Sequence, residues 1–259
     1  ESASEINVNP PAKDNFVGYG YQIWMCRPKG VYRADGAMGQ FTLVVPDKDM
    51  IIAITEKAAG STGGVAPQKV LDIMWEFLDE ITDEDPLPEN PEVSDRLKRR
   101  MERLALPNPV FAPFSEWRDR VDGKRYKITE GFFSFEDSMA IFMGGGKLPD
   151  GITEFTFRFS SYSCTMDYVK GGERVRLNIA LDGSRTRNII GNGASTIALM
   201  SGWWESEDTF TVAARWIETC NERIFRFKFN GNGVTIEPGM AGGFMFGRKP
   251  DPIRAVHGN

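Results

Sequence analysis

Histidine and cysteine are nearly missing from this chain: one histidine, His257, and three cysteines, Cys26, Cys164 and Cys220, in 259 residues. A Ser-His-Asp triad or a His-rich zinc site would have to recruit a side chain two residues from the end of the sequence, where backbones are usually mobile. The cysteines are far apart and form no CxxC pair, so they match neither a disulfide framework nor a zinc knuckle, and they leave the compartment undecided. No apolar run approaches the roughly 20 residues that span a bilayer, so no membrane span is expected. A basic excess is also missing. With 31 Lys and Arg against 36 Asp and Glu, the net charge is −5 and the pI is about 5.2. Such a surface repels phosphate backbones, and nucleic acid is not expected as a partner.

What is present is ordinary for a folded protein with a sizeable core: 41% hydrophobic and 26% charged residues. Residues 1–17 are polar with Pro10 and Pro11 adjacent, and they read as an extended lead-in. Short runs rich in aromatic and β-branched residues follow at Tyr19–Cys26, Val31–Ala34, Gln40–Val45 and Met50–Thr55, separated by Gly, Pro and Asp. Pro46-Asp47-Lys48-Asp49 reads as a turn between antiparallel strands. The continuous apolar run Ile51–Ile54 predicts a strand covered on both faces. From Pro67 to Ile81, Val70, Leu71, Met74, Phe77, Leu78 and Ile81 recur at helical spacing.

Residues 83–113 hold six prolines around a short basic helix near Val93–Leu104, and they read as a linker. The Arg96–Arg103 cluster on it is better explained as a solvated helix face than as an anion site. Beyond Phe114, ten strands are predicted: Lys124–Thr129, Phe132–Phe142, Ile152–Ser160, Cys164–Lys170, Arg174–Leu181, Arg185–Ile190, Ser195–Trp204, Thr209–Ile217, Arg223–Phe229 and Val234–Glu237. Nothing there reads as a long helix. Turn signals between the strands, such as Asp182-Gly183 and Asn230–Gly233, make an up-and-down, lipocalin-like barrel the simplest architecture.

The segments Gly18-Tyr-Gly-Tyr-Gln-Ile-Trp24, Ala34-Asp-Gly-Ala-Met-Gly-Gln40 and Val45-Pro-Asp-Lys-Asp-Met-Ile-Ile52 resemble the C-terminal end of the catalytic domain in β-lactamase-related serine hydrolases. Their A-x-G-x-x-G-Q form is most similar to the 6-aminohexanoate-oligomer hydrolases. The resemblance covers about residues 18–82. It implies an α+β, mostly β protein: residues 1–82 as the last strands and closing helix of a β-lactamase-like α/β domain, 83–113 as linker, and 114–259 as an accessory antiparallel barrel. Four strands and one helix would leave sheet edges and one face uncovered, as expected of part of a domain.

The resemblance also implies chemistry. Gly36 lets the backbone approach a substrate, and the Ala37 N–H is one of two oxyanion-hole donors. Ala34 and Asp35 line the substrate. Ala34 stands where many members have Lys or His, which favours an uncharged amide or ester over a carboxylate-bearing substrate. The family's nucleophile motif is S-x-x-K. No serine here has lysine three residues later, and no Tyr-x-Asn occurs. The nucleophile, its lysine and the tyrosine are therefore expected upstream, in the N-terminal part of the same, bacterial, protein. That part is the expected partner, with a homo-oligomer possible. No cofactor or metal is implied.

The alternative is a non-catalytic barrel that binds a ligand or partner. Trp203, Trp204, Trp216 and the phenylalanines would line its cavity, although core packing accounts for them as well. Gly144–Gly146 with Lys147 lacks the spacing of a phosphate loop, and Glu205–Asp208 lacks the ligand pattern of a calcium loop. His257 is expected as a tail residue.

Overall fold

The computed structural model describes residues 4–5, 13–36, 39–57, 68–82, 88–136, 149–191, 196–219, 221–240 and 251–258. The chain divides into two compact units, the first ending at Ala105 and the second beginning at Leu106.

The first unit is an antiparallel sheet in simple chain order, β1 (Ser4–Glu5), β2 (Gly18–Gly20), β3 (Ile23–Met25), β4 (Tyr32–Gly36), β5 (Gln40–Val45) and β6 (Met50–Ile54). Two helices follow, α1 (Gln68–Asp79) and α2 (Pro91–Glu102). Leu71, Trp75 and Leu78 of α1 join Val31, Phe41, Leu43 and Val45 of the sheet in one core, the outcome of the apolar stripe. None of α2 is buried.

The expectations for this unit need three corrections. The 1–17 segment is more than a lead-in, because β1 pairs with β2 and Asp14–Phe16 forms a helical turn whose Asp14 is fully buried. Tyr19–Cys26 is two strands, since Tyr21 and Gln22 have positive φ of 49° and 65° and turn the chain between them. The Ile51–Ile54 strand is covered on one face only: Ile51 is 70% exposed, and Ala53, Thr42 and Ala34 share that open face.

Charged groups are buried in this unit because each is fully bonded. Asp14 accepts from the Arg27 N–H (2.7 Å), Arg27 Nε (3.0 Å), Gln68 Nε2 (2.5 Å) and Trp75 Nε1 (3.0 Å). Arg33, with no exposed surface, donates to Asp35 Oδ2 (3.0 Å), Asn15 Oδ1 (2.6 Å) and the Met25 carbonyl (3.3 Å). Burial alone would raise the Asp14 pKa, but the four donors outweigh it and hold the carboxyl below its usual value.

The second unit is a barrel. Ten strands form it: β7 (Arg125–Glu130), β8 (Ile152–Phe159), β9 (Ser163–Lys170), β10 (Glu173–Ala180), β11 (Thr186–Ile189), β12 (Ile197–Trp204), β13 (Thr209–Trp216), β14 (Glu222–Asn230), β15 (Gly233–Met240) and β16 (Ile253–His257). Consecutive strands pair antiparallel except across the β10–β11 step, and β16 returns to pair with β7, His257 opposite Tyr126. His257 is thus a residue of the closing strand and not a free tail. A short helix, α3 (Trp117–Val121), precedes β7; it was not foreseen, and it stacks Trp117 on Phe229. Nine of the ten expected strands are present. The tenth, Phe132–Phe142, is not a strand over its described part, residues 132–136.

The seam lies between β10 and β11. There β12 shares its far edge between β11 and a single parallel bridge to β10, Ala180 to Ser201. The nearly buried Asn188 side chain closes the gap by acting as a strand neighbour. Its Oδ1 accepts from the Asn178 N–H, and its Nδ2 donates to the Asn178 carbonyl, both at 2.8 Å. Replacing Asn188 with Leu strands both backbone groups of Asn178. The expected cost is about 1–3 kcal/mol in denaturant unfolding, with hydrogen exchange rising first at Asn178.

For the first unit, the depressed Asp14 pKa means stability that is present above the ordinary carboxylate value and lost as pH falls from there through the lowered folded value. Calorimetric melts of the whole chain at pH about 6 and about 3 should show this unit losing more stability in the wild type than in Asp14→Asn.

Candidate functional site

Alternation along the barrel strands turns one set of side chains into the lumen. Phe155 and Phe157 of β8, Met166 and Tyr168 of β9, Phe210 and Trp216 of β13, and Phe225, Phe227 and Phe229 of β14 are all buried there. Rings from opposite walls meet edge to face: Phe157 lies 5.0 Å from Phe227 and Phe155 5.5 Å from it. Gly202 makes this possible on β12, since a Cβ there would sit 2.8 Å from the Phe210 ring and 2.9 Å from Ile179.

The two ends of the lumen differ. At one end Trp204 packs among Phe159, Phe210 and Phe229. At the other the polar groups gather. Arg223 is on the inward-facing side of β14, in phase with Phe225, Phe227 and Phe229, and its guanidinium stands 4.8 Å from the Phe225 ring. It is opposite Ala214, two residues from Trp216 on the same face of the hairpin. Lys170, in phase with Tyr168, makes an ion pair with Glu136; burial pulls its pKa down. Burial raises Tyr126 and Tyr168 to about 12, so both stay neutral.

Two lumen donors have no acceptor among the described residues, Trp204 Nε1 and Trp216 Nε1. The residues are 5% and 1% exposed. Each buried, unpaired indole N–H costs about 1–3 kcal/mol that an acceptor would recover. Both tryptophans were singled out in the sequence as possible cavity liners. Trp203, singled out with them, does not line the lumen, for it faces outward from β12. Arg223 and Asn188 were missed; each sits in an alternating strand where parity points it inward, and parity was the only available signal.

The expected hydrolase-like residues lie in the first unit. Ala34 is exposed on the open face of the sheet, while Asp35 and Gly36 are half-buried at the end of β4. Asp35 is on the covered face, ion-paired to Arg33, and desolvation raises its pKa. Ala37, like Gly144–Gly146, Lys147 and Cys220, lies outside the described residues. Cys26 and Cys164 are buried and unpaired, and burial pushes the Cys26 thiol up to about 11. Among the described residues there is no group of three or more His, Cys, Asp or Glu that could hold a metal, and no helix is long and apolar enough to cross a membrane.

A cleft of about 530 Å³ also lies on the barrel wall, bordered by Arg125, Arg158, Arg174 and Arg176. There Arg176 grips Asp167 at 2.6 and 3.0 Å and lowers its pKa.

The fold and lumen define a mostly β chain whose larger unit is a closed, lipocalin-like antiparallel barrel. No family model and no curated protein sequence matches the chain. Solved structures similar to it include a Schistosoma mansoni fatty acid binding protein in complex with arachidonic acid, 12% identical over 54% of this chain and 96% of that one, with a TM-score of 0.38. A secretory abundant heat soluble protein from Ramazzottius varieornatus is 9% identical over 53% and 94%, with a TM-score of 0.38. A luciferase domain from the dinoflagellate Lingulodinium polyedrum is 13% identical over 80% and 68%, with a TM-score of 0.38. At these identities and scores the likenesses carry no conclusion about activity.

Proposed function

We propose that the chain's barrel is a binding module for an apolar small molecule that brings a hydrogen-bond acceptor into the lumen. The observation that carries this is the pair of buried indole N–H groups, Trp204 Nε1 and Trp216 Nε1, which have no acceptor among the described residues of a ring-lined wall. Packing alone calls for the ring at either position and not for its N–H. A lumen lined by rings with a few fixed donors is the usual make-up of a small-molecule site. Titration with anilinonaphthalene sulfonate, an apolar anion, followed by NMR, should shift the indole N–H resonances of Trp204 or Trp216. A surface-bound probe would leave both unmoved, and that result would overturn this reading.

A second reading concerns the first unit and rests on its open sheet face, with Ile51 70% exposed beside Ala53, Thr42 and Ala34. A sheet with one bare apolar face is part of a larger core. That supports residues 18–82 as the closing strands and helix of a β-lactamase-like hydrolase domain, completed by an upstream part of the same protein. In it the upstream serine attacks an uncharged amide or ester, the Ala37 N–H helps hold the oxyanion, and water hydrolyses the acyl-enzyme. Ala34, Asp35 and Gly36 border the substrate. This reading expects the protein isolated from its natural host to gain one adduct mass with a serine-directed fluorophosphonate. A single unlabelled species near 29.0 kDa would overturn it.

A further inference from the structure

The described part of the Phe132–Phe142 run was expected to be barrel wall; Phe132 is 47% exposed, and from Phe133 onward the segment is barrel filling. The chain leaves β7 at Gly131, whose φ is +87° and where a Cβ would meet the Ile253 backbone and side chain at 3.1 Å. Beyond that turn, Phe133 and Phe135 are each 1% exposed. Phe133 lies 6.1 Å from Phe155 on β8 and 5.3 Å from Phe225 on β14. Phe135 lies 6.3 Å from Tyr168 on β9 and 4.8 Å from Phe225. Strands β8 and β9 are separated from β14 by β7, β16 and β15. Both rings therefore bridge opposite walls, which is possible only from inside the lumen.

The segment's polar groups are held the way a ligand's would be. Arg223 donates to the carbonyls of Ser134 (2.8 Å) and Glu136 (2.7 Å). Lys170 ion-pairs with the Glu136 carboxylate. One ladder-like bond, from the Ile152 N–H to the Phe133 carbonyl at 2.7 Å, anchors it to the wall. Two aromatic side chains in a ring-lined lumen, followed by acceptors on an inward-facing arginine and lysine, describe an apolar body with an acceptor-bearing, anionic end.

We infer that Phe133–Glu136 is an internal occupant of the barrel's binding site, and that an apolar molecule with an anionic or carbonyl end takes its place on Arg223 and Lys170. This rests on the binding reading above and adds to it a competitor built into the chain. Because binding must first expel the segment, apparent affinity is lowered by the fraction of time the segment is in place. The Phe133→Ser/Phe135→Ser double variant should therefore bind anilinonaphthalene sulfonate about tenfold more tightly than the wild type. Adding Arg223→Gln should cancel most of that gain.

The double variant removes core rings and its fold has to be checked by circular dichroism. A measurement on the unaltered chain stands beside it. Saturating probe should speed amide exchange at residues 132–136 while leaving β13 and β14 protected. Binding that moves the Trp216 indole resonance yet leaves 132–136 equally protected would overturn the exchange and leave the binding reading standing. Failure of the wild type and every folded variant to bind in the lumen would overturn both.

Discussion

Closure is the constraint on which the larger unit depends. A sheet bent into a barrel must join its first strand to its last, and here β7 finds β16 across more than a hundred residues, with Tyr126 beside His257. Such a contact is entropically expensive to form, since the whole intervening chain is looped out before it is rewarded. The return comes from the lumen. Once closed, walls that are far apart in sequence press Phe155, Phe157 and Phe227 together, and water has no access to the rings. The opposite seam is not closed by a full ladder, because β10 and β11 do not pair and β10 meets β12 at a single bridge. One buried amide, Asn188, supplies the missing pair of backbone-like bonds. A desolvated interior also explains why two unpaired indole N–H groups matter here. On a surface they would find water and carry no information.

Most of the wall was legible in the sequence because a barrel strand announces itself by period-two alternation between turn residues. Arg223 to Phe229 shows it plainly, and the registers follow. Period alone cannot distinguish wall from filling. Phe132-Phe133-Ser134-Phe135 has the composition of a strand, yet the backbone turns inward at Gly131, and the decisive fact is a steric one involving Ile253, over a hundred residues away. The closing strand Ile253–His257 alternates in burial too, but its two strongly apolar members, Ile253 and Val256, fall on opposite faces and give little signal. Burial of Asp14 and Arg33 was invisible for a related reason. A charge is tolerable inside only when its partners are assembled, and theirs come from three separate segments of the chain.

The first unit shows how far a motif can take an argument. Its strand order and the one helix that covers it among the described residues agree with the expected short antiparallel runs, and Ile51 corrects the expectation that both faces are covered. A continuous apolar run still says that the residues prefer burial; it does not say that the described chain contains what buries them. That gap between preference and observed exposure is the physical content of calling the unit incomplete. The placement of Asp35 works in a different direction. It shares the covered face with Arg33, whose guanidinium would otherwise be a buried cation short of its carboxylate. Its first duty is to hold Arg33, and any contact with a substrate has to be compatible with that ion pair.

Filling a lumen with the chain's own side chains solves a problem that every binding barrel faces. An empty aromatic cavity is unstable in proportion to the contacts its lining forfeits, whereas a cavity filled by permanent core cannot bind anything. Phe133 and Phe135 supply the contacts while belonging to an irregular stretch that, among the described residues, is tied to the wall by the Ile152–Phe133 backbone bond and to the site by Arg223 and Lys170. The strands around them carry continuous ladders along their length. Local opening is therefore cheapest at the filling. The two cations that hold the segment's carbonyls and carboxylate, Arg223 and Lys170, are the groups an incoming acceptor would meet in its place. Stability without a ligand and affinity for one thus draw on the same side chains, which is why neither can be changed at Arg223 without changing the other.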